Sequence, residues 1–198
     1  MSREAQKQAT RARLIEAARE AFTEKGFASA TLRDIARRAH VSTGAVFTHF
    51  SSKEELLAEV QFGAFRKIER AMHAARNDAE GLRPQLAGMV RAAVTTELED
   101  IDNVLARISA SYQWSPAYDA RYMAEVGRLL APVAGTIKQA QAAGEVRPDA
   151  DIDMAVELIF TFYLRSFRRA RFGPDRDAEA ITAHVMRGID VIIDGLRA

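Results

Sequence analysis

Residues 31–60 read TLRDIARRAHVSTGAVFTHFSSKEELLAEV. Thr31 and Asp34 form a capping box, in which hydroxyl and carboxylate answer the orphan backbone donors of a helix start. Leu32, Ile35, Ala36 and Ala39 then give a short helix its apolar stripe. His40 and Val41 make a tight turn into Ser42, a favourable N-cap. The segment from Ser42 to Phe50 allows only about two turns, too few for a helix that is stable alone. Ser52 and Glu55 are read as a second capping box. They launch a long helix in which Leu56, Leu57, Val60, Phe65, Ile68 and Met72 recur at helical spacing.

A helix, a tight turn and a second short helix predict a helix-turn-helix, whose second helix enters the DNA major groove. The residues of the short helix divide accordingly. Val41, Val46 and Phe50 can pack inward on Ile35, Ala36 and the preceding helix. Gly44 and Ala45 are small enough to let backbone and groove wall approach. Phe47, Thr48 and His49 are left beside phosphates or base edges, where hydroxyl and imidazole can hydrogen-bond and an aromatic ring can touch a thymine methyl. Lys53 joins an ammonium to the free amides of a helix start, which suits a phosphate.

Upstream, TRARLIEAAREAFTEKG places Leu14, Ile15, Ala18 and Phe22 on one face, and Gly26 stops the helix. Arg3, Lys7, Arg11 and Arg13 could serve as a mobile arm on DNA, or simply be disordered. Net charge is +1, but residues 1–53 carry ten Lys/Arg against five Asp/Glu, and the remainder is net acidic. Such asymmetry fits a basic module facing a polyanion, although solvated helix faces would also produce it. Without cysteine there is no disulfide, thiolate metal site or thiol nucleophile. MSREAQKQATRAR lacks the apolar core of a signal peptide, and no run of ~18 apolar residues spans a bilayer, so a soluble, cytoplasmic protein is expected.

Beyond Asn77 the periodicity predicts helices at about 82–98, 101–113, 152–171 and 177–196. Another runs from Ser115-Pro116 to Ala143, kinked or broken at Pro132. AAGEVRPDADID reads as a loop, with Gly144 ending one helix and Asp151 capping the next. No strand alternation occurs, so the fold class is all-α, with about nine helices. Division into residues 1–53 and 54–198 is expected. No catalytic or metal constellation emerges: His40, His49, His73 and His184 are scattered, EDIDN at 99–103 lacks the remaining ligands of a calcium loop, and no nucleotide loop or nucleophile elbow is present. No enzyme activity, cofactor or metal is expected.

The 31–60 stretch resembles the DNA-binding region of the tetracycline-repressor (TetR) type transcriptional regulators. The resemblance rests on the spacing of Thr31, Ile35-Ala36, Ala39, Val41-Ser42, Gly44, Phe47, Phe50 and Lys53-Glu54, and LIEAAREAFTEKGFASAT matches the family's first helix and turn. By position it implies that Thr31 and Lys53 hold phosphates, and that Arg33 and the segment from Ser42 and Thr43 through Gly44 and Ala45 to His49 lie at the groove. Two departures stand out. His40 replaces the usual turn Gly, and Phe47 replaces a common Tyr, removing a phenol that could bond a phosphate.

The resemblance also implies an effector-binding and dimerisation domain. In the last helix Ile181, Val185, Ile189, Ile192 and Leu196 form a stripe edged by Gly188. The helix before it, which includes Phe167, is apolar almost all round through Phe162. Paired with symmetry mates, such helices would make a four-helix interface; the alternative is an intramolecular core, and two-fold DNA sites favour the dimer. Tyr112, Trp114, Tyr118, Tyr122 and Met123, with Phe160 and Tyr163, are candidates to line an effector cavity, and Arg107 and Arg165 could pair an acidic group of the ligand. The leading expectation is a repressor released from a near-palindromic double-stranded DNA operator by a small-molecule effector. The competing one is a small-molecule-binding or catalytic helical protein with a vestigial helix-turn-helix.

Overall fold

The computed structural model describes residues 2–111, 116–174 and 176–197. Nine helices occupy them: α1 (Arg3–Ser29), α2 (Leu32–Arg38), α3 (Thr43–His49), α4 (Lys53–Asn77), α5 (Leu82–Leu98), α6 (Ile101–Ser111), α7 (Pro116–Ala142), α8 (Ile152–Phe172) and α9 (Ala178–Asp194). The chain divides into two compact units. One comprises 1–64 and 102–123; the other comprises 65–101 and 124–198.

In the first unit, α1, α2 and α3 close on a core of Leu14, Ala18, Phe22, Ile35, Ala36, Val46, Phe50, Leu56 and Leu57. Burying a Leu, Ile, Val or Phe side chain is worth about 1.5–3 kcal/mol, so this cluster holds α3 in place although the helix has only seven residues. α1 begins at Arg3, capped by Ser2, so Arg3, Lys7, Arg11 and Arg13 are helical and do not form a mobile arm. Gly26 sits at φ +74° and kinks the end of α1, as its stop position predicts.

In the second unit, α9 packs against α5 and α8. A Cβ at Gly88 would lie 3.0 Å from the carbonyl oxygen of Ala75, so this glycine permits a close approach of α4 and α5. α7 runs through Pro132 as one helix, so of the expected kink or break the break does not occur. Val126, Leu129, Val133, Ile137 and Ala140 are buried along it. Their burial outweighs the ~3 kcal/mol local cost of an interior proline.

Candidate nucleic-acid interface

The turn between α2 and α3 is set by backbone hydrogen bonds. The Val41 amide donates to the Ala36 carbonyl at 3.0 Å and the His40 amide to that of Arg37 at 3.2 Å, a Schellman closure. It requires a left-handed residue, and His40 supplies it at φ 54°. Histidine therefore does the work of the glycine usual in this turn. Thr31 and Asp34 form the reciprocal capping box: the Asp34 amide donates to Thr31 Oγ1 at 3.1 Å, and Thr31 donates to the carboxylate. The Thr31 hydroxyl and the Lys25 ammonium hold the Asp34 carboxyl well below the ordinary carboxylate range. Ser42 accepts from the Ala45 amide at 3.1 Å and starts α3.

On α3, Val46 is fully buried and Phe50, its C-cap, is 1% exposed. Phe47 on the other side is 58% exposed. Gly44 and Thr48 are exposed beside it, while Thr43, Ala45 and His49 are half-buried. Thr48 donates back to the Gly44 carbonyl at 3.3 Å, and Arg33 is exposed on α2. α3 carries no acidic side chain. The helix thus presents a small, apolar-and-hydroxyl face that can approach a groove closely, with no carboxylate to repel phosphate.

Lys53 departs from its expected phosphate role. Its ammonium donates to the carbonyls of Phe27 (2.7 Å), Ala28 (3.3 Å) and Ala30 (3.1 Å), and lies 4.4 Å from the Phe27 ring centroid. Three protons meet three acceptors, so Lys53 closes the end of α1 and is no free cation. The second capping box also differs from expectation. Ser52 accepts from the Glu55 amide, but the Glu55 carboxylate takes the amide and hydroxyl of Ser51.

The expected pocket residues belong to separate units. In the first, Arg107 is 1% exposed and donates to the Tyr122 hydroxyl at 2.8 Å. Tyr118 donates to the Glu55 carbonyl at 3.1 Å, and burial, with the Glu59 charge second, pushes its phenol well above the usual range. Met123 is 54% exposed. In the second unit, half-buried Tyr163 donates to the buried Glu97 carboxylate at 2.6 Å, and Phe160 is half-buried. Tyr112 and Trp114 lie outside the described residues.

The expected dimer stripe is corrected. Phe167, Ile181, Val185 and Ile189 are at most 2% exposed within the single chain, so the intramolecular alternative holds for them. Gly188 is covered by the Phe162 ring, three atoms of which would lie under 3.0 Å from an added Cβ. Ile192 is half-buried.

One cluster escaped sequence reasoning. Glu59, buried on α4, is paired with Arg11 of α1 and Arg121 of α7. A carboxylate inside the apolar run LLAEV was its only sequence signal. Among the described residues, no group of three His, Asp or Glu could hold a metal ion, and no helix is long and apolar enough to cross a membrane.

Residues 14–60 match the family pattern of bacterial regulatory proteins of the tetR family. The HTH-type transcriptional regulator UidR of Escherichia coli K12 is 30% identical over 154 residues, covering 77% of this chain and 76% of UidR. Thermus thermophilus FadR, a TetR family transcriptional repressor crystallised with lauroyl-CoA, has a TM-score of 0.77 at 21% identity over 95% of each chain. Bacillus subtilis FadR, crystallised with stearoyl-CoA, has a TM-score of 0.74 at 16% identity, covering 93% of this chain and 98% of its own. At these identities the two structures establish the fold alone.

Proposed function

The chain belongs to the TetR family of bacterial regulatory proteins and is a helix-turn-helix transcriptional regulator; from that premise we propose a homodimeric cytoplasmic repressor, released from a near-palindromic operator by a small-molecule effector. Residues 1–53 would read DNA, and 54–198 would bind effector and dimerise. The observation that carries the reading is α3 itself: Val46 and Phe50 anchor it in the core, and Gly44, Phe47 and Thr48 stand outward. Arg33 and the Thr43–His49 segment are the proposed groove contacts, with Thr31 beside a phosphate.

The dimer surface is argued from what the chain leaves uncovered. Met154 and Leu158 of α8 are 49% and 50% exposed, and Val191 of α9 is 74% exposed. α8 is also charge-polarised, with Asp153 and Glu157 in its first half and Arg165, Arg168, Arg169 and Arg171 in its second. A two-fold axis across the helix sets the acidic half of one copy against the basic half of the other.

For the effector we propose an apolar molecule recognised within one unit, by some of Tyr112, Trp114, Tyr118 and Tyr122 or else by Phe160 and Tyr163. The ligands crystallised with the two FadR proteins make acyl-CoA thioesters the first compounds to titrate against the fluorescence of Trp114, the sole tryptophan. Enrichment of duplexes from a random pool tests the DNA reading. A near-palindromic consensus with salt-sensitive affinity, log K falling by ~0.9 per phosphate contact, is expected. An enriched pool without a consensus, or no enrichment, sinks it.

A further inference from the structure

A carboxylate inside an apolar helix face is costly unless opposite charge meets it. Glu59 is 6% exposed, and Leu56, Leu57, Ala58 and Val60 around it are buried. Its Oε1 is met from two sides, by Arg11 of α1 at 2.9 Å and by Arg121 of α7 in closer contact. Both approaches are ion pairs without hydrogen-bond alignment, so they depend on where the helices hold the three charges. Neither guanidinium ends its contacts there. Arg11 lies 5.0 Å from the ring centroid of Phe50, the C-cap of α3. Arg121 lies 4.7 Å from that of Phe62, which stacks on Tyr118 at 6.1 Å.

We propose that this run of contacts, from Tyr118 and Arg121 of α7 through Glu59 of α4 to Arg11 and Phe50, is the positioning device by which α7 sets the DNA-facing helix. The inference rests on the reading of α3 as the DNA contact. With both arginines in place the one Glu59 carboxylate is shared between two guanidiniums that approach it from α1 and α7. Withdrawal of Arg121 leaves a buried carboxylate with one partner. Arg11 is then drawn toward Glu59 and off the Phe50 ring, or water enters beside it; either change moves the end of α3. An effector that binds better to the withdrawn state lowers operator affinity by that difference alone. Arg11, Glu59 and Arg121 act here as positioning residues and touch no DNA.

The test uses the full chain and a duplex enriched by the unmodified protein from a random pool. Arg121→Gln should weaken binding about tenfold, a coupling of ordinary size for contacting residues, with the salt slope unchanged because no phosphate contact is lost. Arg121→Lys should stay within about threefold, and adding Glu59→Gln to Arg121→Gln should restore affinity to about threefold by removing the carboxylate that draws Arg11 off Phe50. Without DNA, amides 46–50 should exchange about tenfold faster in Arg121→Gln and at the original rate in Arg121→Lys. Unmoved affinity and exchange in a folded Arg121→Gln protein overturn the inference, as does a flattened salt slope, which would make Arg121 a phosphate contact. If Arg121→Gln fails to fold, the double variant decides: affinity within about threefold supports the device, and a tenfold loss overturns it. Failure of the unmodified protein to enrich any duplex would overturn the reading of α3 and this inference with it, whereas normal enrichment with unmoved variants overturns the inference alone.

Discussion

At Lys53 the number of donors decides the role. The ammonium offers three protons, and the carbonyls of Phe27, Ala28 and Ala30 take them. Lys53→Met keeps much of the stem and removes those bonds, so it should cost about 1–3 kcal/mol in chemical denaturation. The salt slope of DNA binding should not change; a slope flatter by ~0.9 would return Lys53 to a phosphate. Asp34 makes a pH-dependent contribution. Its carboxyl is held below the ordinary range by Thr31 and Lys25, so its stabilisation is full above the unfolded pKa near ~3.9 and fades as pH falls toward the folded value. Asp34→Asn should therefore lower stability at pH ~7, and the gap should narrow in melts below pH ~4. An equal gap at both pH values would show that charge plays no part. His40 was legible because its position demands a left-handed residue. Lys53 was not, because a helix-start lysine looks the same whether its acceptor is a phosphate or the chain's own carbonyls.

At the scale of elements, α9 separates what a pattern shows from what it leaves open. The spacing of Ile181, Val185 and Ile189 states that this face is buried, and all three are at most 2% exposed. It does not state which surface buries them; here α5 and α8 of the same chain do so. Ile189→Glu should accordingly abolish cooperative folding and not merely separate protomers. Gly188→Ala forces Phe162 to move and should cost about 1–3 kcal/mol in thermal melts. An unchanged melt for either variant would contradict this packing. The boundaries of α5 and the capping of α2, α3 and α8 were legible because Thr31, Ser42 and Asp151 mark helix starts locally. The continuity of α7 through Pro132 was not, since it depends on distant packing that outweighs a local rule. The division of α3 into buried anchors and an outward half was legible for the opposite reason: a two-turn helix has too few residues to hide which ones anchor it.

For the whole molecule, the proposed near-palindromic operator calls for two copies of the chain. Leu158→Glu, on the exposed face of α8, should yield a folded protein of unchanged helicity that sediments as a monomer, and operator affinity should fall steeply because one reading head is lost. A dimer persisting through Leu158→Glu and Val191→Glu together would place the interface elsewhere. The central claim, that α3 reads DNA, is tested most directly by comparing the duplex consensus enriched by the unmodified protein with that enriched by a Phe47→Ala, Thr48→Ala variant. The predicted result is a near-palindromic consensus bound in a salt-dependent manner, with the variant altering preferred bases at symmetric positions while keeping the same salt slope. Recovery of an identical consensus at identical affinity by the folded variant, or no enrichment by either protein, would contradict it.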